Sequence, residues 1–253
     1  MLAEHAAEAA RLLCEARAAA RPLTELPASC RPHSDADAYQ IQDAVTARLG
    51  ETIGGWKVRI ATITGAALCA PIFARMIRPS PAAYAASELR LIGVEAVLAF
   101  RLGRDLPARA EPYNRAETID GASLHPAVEI FDSRYADFRA VDRASVLADN
   151  ASNGGLVYGA AIPDWQALDL VRTRINVSED GKTVAESGRT PPRDAVAALI
   201  DFANLASHRS GAKAGMVVAV MPWTPLHFTE RGKSIAADFG PLGRIEIGFP
   251  GGD

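Results

Sequence analysis

The residues that could do chemistry sit inside apolar strand-like segments. Glu95 lies between Val94 and Ala96 in VEAVLAF, and Glu129 lies within AVEIF. Lys57 occupies the middle of GGWKVRI, with Arg59 two residues on and therefore on the same strand face. A carboxylate in a buried strand is costly unless a cation, a metal or hydrogen bonds compensate it. Two carboxylates and a lysine from three strands fit one pocket that holds a hard divalent ion and an anionic substrate. The same pattern would arise if Glu95 and Glu129 lay on an exposed sheet face or paired with arginines.

Other constellations are missing. The chain has no GxSxG elbow, no HExxH and no P-loop, and GGLVYG (154–159) has the wrong spacing for a dinucleotide loop. The five histidines show no ligand spacing. His125, before Pro126 and beside the second carboxylate strand, fits a satisfied structural role better than a ligand role. Cys14, Cys30 and Cys69 are odd in number and widely spaced, against a disulfide framework or a zinc ribbon.

The elements that must position these residues change character near residue 50. Residues 1–21 read as an Ala-rich helix with Leu2, Ala6, Ala9 and Leu13 on one stripe, and Pro22, Pro27 and Pro32 break it. Ser34 is a good N-cap for a second helix, with Asp35 and Asp37 at its positive end and Gly50 at its end. Strands are expected at 53–60, 94–103, 125–135, 216–221, 233–239 and 244–249, with a hairpin over 171–188 turning at Asp180-Gly181. A helix is expected from about Pro192 to Ser207. Short strands with few intervening helices predict an α+β fold with a mixed or largely antiparallel sheet. A helical segment 1–50 would precede a β-rich domain 51–253.

Composition narrows the function classes. The 253 residues carry 27 basic and 30 acidic side chains, a net charge of -3, so no basic excess exists to neutralise a nucleic-acid backbone. Apolar runs fall far short of the ~20 residues that span a bilayer. The N-terminus lacks the apolar core of a signal peptide, so a cytoplasmic enzyme with no membrane or nucleic-acid partner is expected.

AYQIQDAV (38–45), GGWKVRI (54–60), VEAVLAFRLGRDLPAR (94–109), HPAVEIFDSRY (125–135) and LADNASNGGLVYG (147–159) occur in this order. Together they resemble the 2-keto-4-pentenoate (2-hydroxypenta-2,4-dienoate) hydratases of the fumarylacetoacetate hydrolase superfamily, to which 4-oxalocrotonate decarboxylases are related. The resemblance runs from about residue 35 to the C-terminus. It implies a mixed β-roll behind a helical N-terminal segment, a divalent Mg2+ or Mn2+ ion, a small 2-oxo acid substrate and a homo-oligomer. It implies metal ligands at Glu95 and Glu129, a catalytic Lys57, and substrate contact at Ser152; Asn150, in the same segment, and Arg59, on the Lys57 face, are expected as further substrate contacts. The family's Glu-x-Glu reads Glu95-Ala96-Val97 here, and Ile72 stands near where the family has an acid. Val97 is expected to form an apolar wall in the site. The reading at this level is a hydratase-like lyase of aromatic catabolism. Decarboxylation or C–C hydrolysis on the same scaffold is the runner-up. A non-catalytic subunit that pairs with an active decarboxylase or hydratase is the third possibility.

Overall fold

A computed structural model describes residues 1–60, 67–85, 87–188 and 194–251. Two helices come first, α1 (Ala3–Ala19) and α2 (Asp35–Leu49). The capping signals of α2 act as expected: the Ser34 hydroxyl accepts from the Asp37 N–H, and Gly50 ends the helix at φ 64°. In α1 the buried stripe is Ala6, Ala9, Ala10, Leu13, Cys14 and Ala16. Leu2 is a correction to the expected stripe. It precedes the helix and is 60% exposed.

The strands and remaining helices follow as β1 (Ile53–Ile60), β2 (Ala67–Phe73), β3 (Ile77–Pro79), β4 (Ala82–Ala83), β5 (Ile92–Arg101), α3 (Arg115–Ile119), β6 (Ser123–Phe131), α4 (Arg143–Ala148) and β7 (Asn153–Tyr158). Then come β8 (Asn176–Glu179), β9 (Lys182–Glu186), α5 (Ala195–Ser207), β10 (Val217–Pro222), β11 (His227–Thr229), β12 (Lys233–Asp238) and β13 (Arg244–Phe249). The expected start of the last helix near Pro192 lies outside the described residues. The 171–188 hairpin is β8 and β9, and its turn puts Asp180 and Gly181 both at positive φ.

One sheet has the order β2-β1-β10-β5-β6-β7-β3, with β11 also on β5, and a smaller sheet runs β4-β13-β12-β8-β9. Pairing is mainly antiparallel, with β1–β10, β3–β7 and β4–β13 parallel. This is a mixed α+β fold with a helical N-terminal region. Gly55 permits the close β1–β10 pairing, because a Cβ there would lie 2.2 Å from the Val217 carbonyl. Among the described residues no helix is long and apolar enough to cross a membrane.

The period-2 pattern of β5 divides two cores. Val94, Ala96, Leu98 and Phe100 face the main core, which also takes in the buried faces of α1, α2 and α5. Val97 and Ala99 face the other way, into a small inner cluster with Ile72, Ala127, Leu156, Val217 and Ala219. Glu95 shares that inner face.

Candidate active site

Lys57 and Glu129 sit on β1 and β6, three strand steps apart in the sheet. At ~4.8 Å per step a flat sheet would hold these strands ~14 Å apart, beyond the reach of a lysine and a glutamate that must also leave the sheet plane. Yet the Lys57 ammonium and the Glu129 carboxylate form an ion pair, both almost completely buried. The sheet therefore curls, and small inner-face residues (Ala219, Ala99, Ala127) leave room for the long side chains between its strands.

Lys57 Nζ also donates to the Ala151 carbonyl at 3.1 Å, and Asn153 Nδ2 donates to Glu129 Oε1 at 3.3 Å. Burial pulls the Lys57 pKa below its ordinary value, and Glu129 opposes that shift without cancelling it. Glu95 stands directly opposite Glu129 across β5 and β6. Its carboxyl is pushed up by burial and then by the facing Glu129 charge. Arg59 Nη2 donates to Glu95 Oε2 at 2.9 Å, so the arginine-paired alternative applies to this carboxylate. Each carboxylate of the facing pair thus has its own cation, which offsets the repulsion of like charges placed opposite.

The Ala151 carbonyl reaches Lys57 because the chain makes a left-handed turn there. Asn150, Ala151 and Ser152 have φ of 50°, 49° and 56°, an arrangement that costs roughly 1–2 kcal/mol per non-glycine residue. Asp149 anchors the turn. Its carboxylate accepts from the Arg134 N–H at 2.9 Å and from Arg134 Nε, while Arg134 Nη2 donates to the Asp149 carbonyl at 2.7 Å. Burial raises the Asp149 pKa, and the Arg134 guanidinium opposes it.

A cavity of about 270 Å³ opens above this group. Lys57, Arg59 and Arg143 give it positive charge, and Leu68, Phe131, Phe138, Val146 and Leu147 give it an apolar wall. Ala151 and Cys69 also line it. Burial raises the Cys69 thiol to about 11, so it stays protonated at neutral pH. No carboxylate or histidine lines the cavity among the described residues.

The structure thus brings Lys57, Arg59, Glu95 and Glu129 together. Asn150 and Ser152 flank the cavity-lining Ala151 but are not themselves lining residues. Both are buried, with Asn150 Oδ1 and Ser152 Oγ unpartnered. Val97 is buried on the Glu95 face, in contact with the inner cluster that also contains Ile72. His125 is satisfied, Nδ1 by the Gly159 carbonyl at 2.9 Å and Nε2 by the Ser123 hydroxyl at 2.8 Å. Sequence reasoning missed Phe138 and Arg143. A signal existed for the latter in Asp142, which caps α4 by accepting from the Ser145 N–H.

Glu95 and Glu129 are the residues a divalent ion would have to use. No group of three or more His, Cys, Asp or Glu side chains close enough to hold an ion exists among the described residues. Of the residues outside the description, only Asp253 carries such a side chain. With both carboxylates ion-paired and valine at the third position, the residues present do not fit a three-carboxylate centre.

No family model matches the chain. A 4-oxalocrotonate decarboxylase from a Pseudomonas species is 29% identical over 163 residues, 62% of this chain and 60% of that protein. The chain therefore aligns with less than two thirds of this relative. A 2-keto-4-pentenoate hydratase of Paraburkholderia xenovorans LB400 is 29% identical over 194 residues, 70% of this chain and 69% of that protein. The solved 4-oxalocrotonate decarboxylase of Pseudomonas putida G7, complexed with magnesium and adipate, superposes with a TM-score of 0.85 at 20% identity, covering 98% of each chain. By sequence the chain is similar to 4-oxalocrotonate decarboxylases and 2-keto-4-pentenoate hydratases, and its fold is that of the solved decarboxylase.

Proposed function

We propose that the protein is a lyase that decarboxylates a small unsaturated 2-oxo dicarboxylic acid of the 4-oxalocrotonate type. One observation carries this reading: a buried lysine and an arginine floor a cavity whose described lining offers no carboxylate or histidine to activate water. Hydration needs such a base, whereas decarboxylation needs only a place for the electrons of the breaking bond. In the substrate the bond from C5 to the distal carboxylate breaks and carbon dioxide leaves. The electron pair moves through the conjugated double bond onto the C2 oxygen, giving a dienolate.

Lys57 would donate to that oxygen as its charge develops, held at one position by Glu129 and the Ala151 carbonyl. Arg59 would hold the C1 carboxylate. The distal carboxylate would lie along Phe131, Phe138, Val146 and Leu147, a wall that solvates carbon dioxide better than a carboxylate. Arg143, paired with Asp35 at 2.6 Å, would attract the second negative charge on entry. The decarboxylase relative supports this choice, and adipate in the solved decarboxylase is itself a six-carbon dicarboxylate. The hydratase expected from sequence is the second reading, favoured by the hydratase relative. It would require Glu95 or Glu129 to give up its cation.

The test offers 4-oxalocrotonate and 2-hydroxypenta-2,4-dienoate to the protein separately. Carbon dioxide release from the first, with the second left unconsumed, is the expected result. Consumption of the dienoate without carbon dioxide would assign a hydratase. Turnover of neither would assign the non-catalytic subunit.

A further inference from the structure

The place a divalent ion would take beside Glu95 already holds a guanidinium. Arg59 Nη2 lies 2.9 Å from Glu95 Oε2. Lys57 neutralises Glu129, so the facing carboxylates carry two fixed cations between them. The third position of the inner face, Val97, packs against apolar side chains, and Ile72 is part of the same cluster. A divalent ion there would have to displace Arg59 from Glu95, with two carboxylates and, among the described residues, no third His, Cys, Asp or Glu side chain to compensate.

Donors remain for an anion. Lys57 has three N–H groups and two named acceptors, Glu129 and Ala151. Arg59 Nε is buried without a hydrogen-bond partner, although Arg59 lines the cavity. A buried unsatisfied donor on a charged group is costly, and a bound carboxylate would satisfy it.

We infer that this site works without a divalent metal: Arg59 stands in the place of the ion, and Arg59 and Lys57 receive the 2-oxo acid head directly. This rests on the proposed reading of the cavity as a 2-oxo acid site. It also names a specificity residue, because a guanidinium offers a carboxylate a planar, two-pronged donor that an ammonium does not.

Calorimetry with pyruvate as the probe tests it on the full chain. Pyruvate should bind in the presence of a chelator, and excess Mn2+ should leave its affinity unchanged. Arg59→Ala should weaken pyruvate by about tenfold or more, the loss expected for a charge-assisted hydrogen bond. Arg59→Lys keeps the charge and should still lose most of that affinity. Titrating the metal alone gives a second readout. Wild type should take up no Mn2+, while Arg59→Ala, and more strongly Arg59→Ala with Val97→Glu, should gain affinity by about tenfold or more. Should the double variant fail to fold, Arg59→Ala and Arg59→Lys still decide the matter. Pyruvate binding to wild type only with Mn2+ would overturn the inference and leave the 2-oxo acid site standing. No pyruvate binding with or without Mn2+ would overturn both.

Discussion

Lys57 is a buried charge held by one carboxylate and one carbonyl. Lys57→Met should lower the proposed decarboxylation by about a hundredfold or more, as for loss of a donor to a developing oxyanion. It should also destabilise the fold by about 3–5 kcal/mol, because Glu129 is left buried and uncompensated. Adding Glu129→Gln should recover part of that loss, so urea denaturation of the double variant should show less than the sum of the two single effects. An additive result would mean that the two charges do not depend on each other. Lys57, Glu95 and Glu129 were legible as site candidates because charged residues inside apolar strands stand out against their neighbours. Which cation served which carboxylate was not legible. Lys57 reaches past β10 and β5 to Glu129, and that follows from the curl of the sheet rather than from spacing along β1.

The short elements hold the site in shape at a conformational cost. Ala151 sits at φ 49° between two other left-handed residues. Ala151→Gly should remove the steric penalty and raise stability by about 1 kcal/mol, seen as a Tm higher by about 2–4 °C. A lower Tm would show that the Ala151 side chain contributes more packing than its backbone strain costs. In α3 the capping box joins Asn114 and Glu117, and Glu117 also binds Arg109 at 2.8 Å. Arg109, then the Asn114 N–H, holds the Glu117 carboxyl at about 2, below its ordinary 4.5. A depressed acid stabilises the fold above its unfolded pKa and loses that contribution as pH falls towards the folded one. Melting profiles of wild type should therefore fall between about pH 4.5 and 2 more steeply than those of Glu117→Gln, and parallel profiles would contradict this. The α2 caps, the alternation of β5 and the Asp180-Gly181 turn were readable because each depends on neighbours along the chain. The turn at 150–152 was not, since its conformation depends on the Asp149–Arg134 clamp, whose partners are fifteen positions apart in sequence.

At the scale of the molecule, the curled sheet separates a large core, shared by the strands and the N-terminal helices, from a small inner one beneath the charged group. The fold class was legible from the change in apolar period near Gly50. The cavity was not, because Lys57, Leu68, Phe138 and Arg143 come from four segments that meet only when the roll closes. Val97 ties the two scales together. Glutamate introduced there without removing Arg59 would enter an apolar cluster, and denaturation should show a loss of several kcal/mol. The most direct test of the cavity as a 2-oxo acid site is a crystal structure of the protein soaked with oxalate, a planar dianion shaped like the head of the dienolate. Oxalate should lie in the cavity with its oxygens within hydrogen-bond distance of Lys57 Nζ and Arg59 Nε. Oxalate found elsewhere, or an empty cavity at saturating concentration, would contradict the assignment of that site.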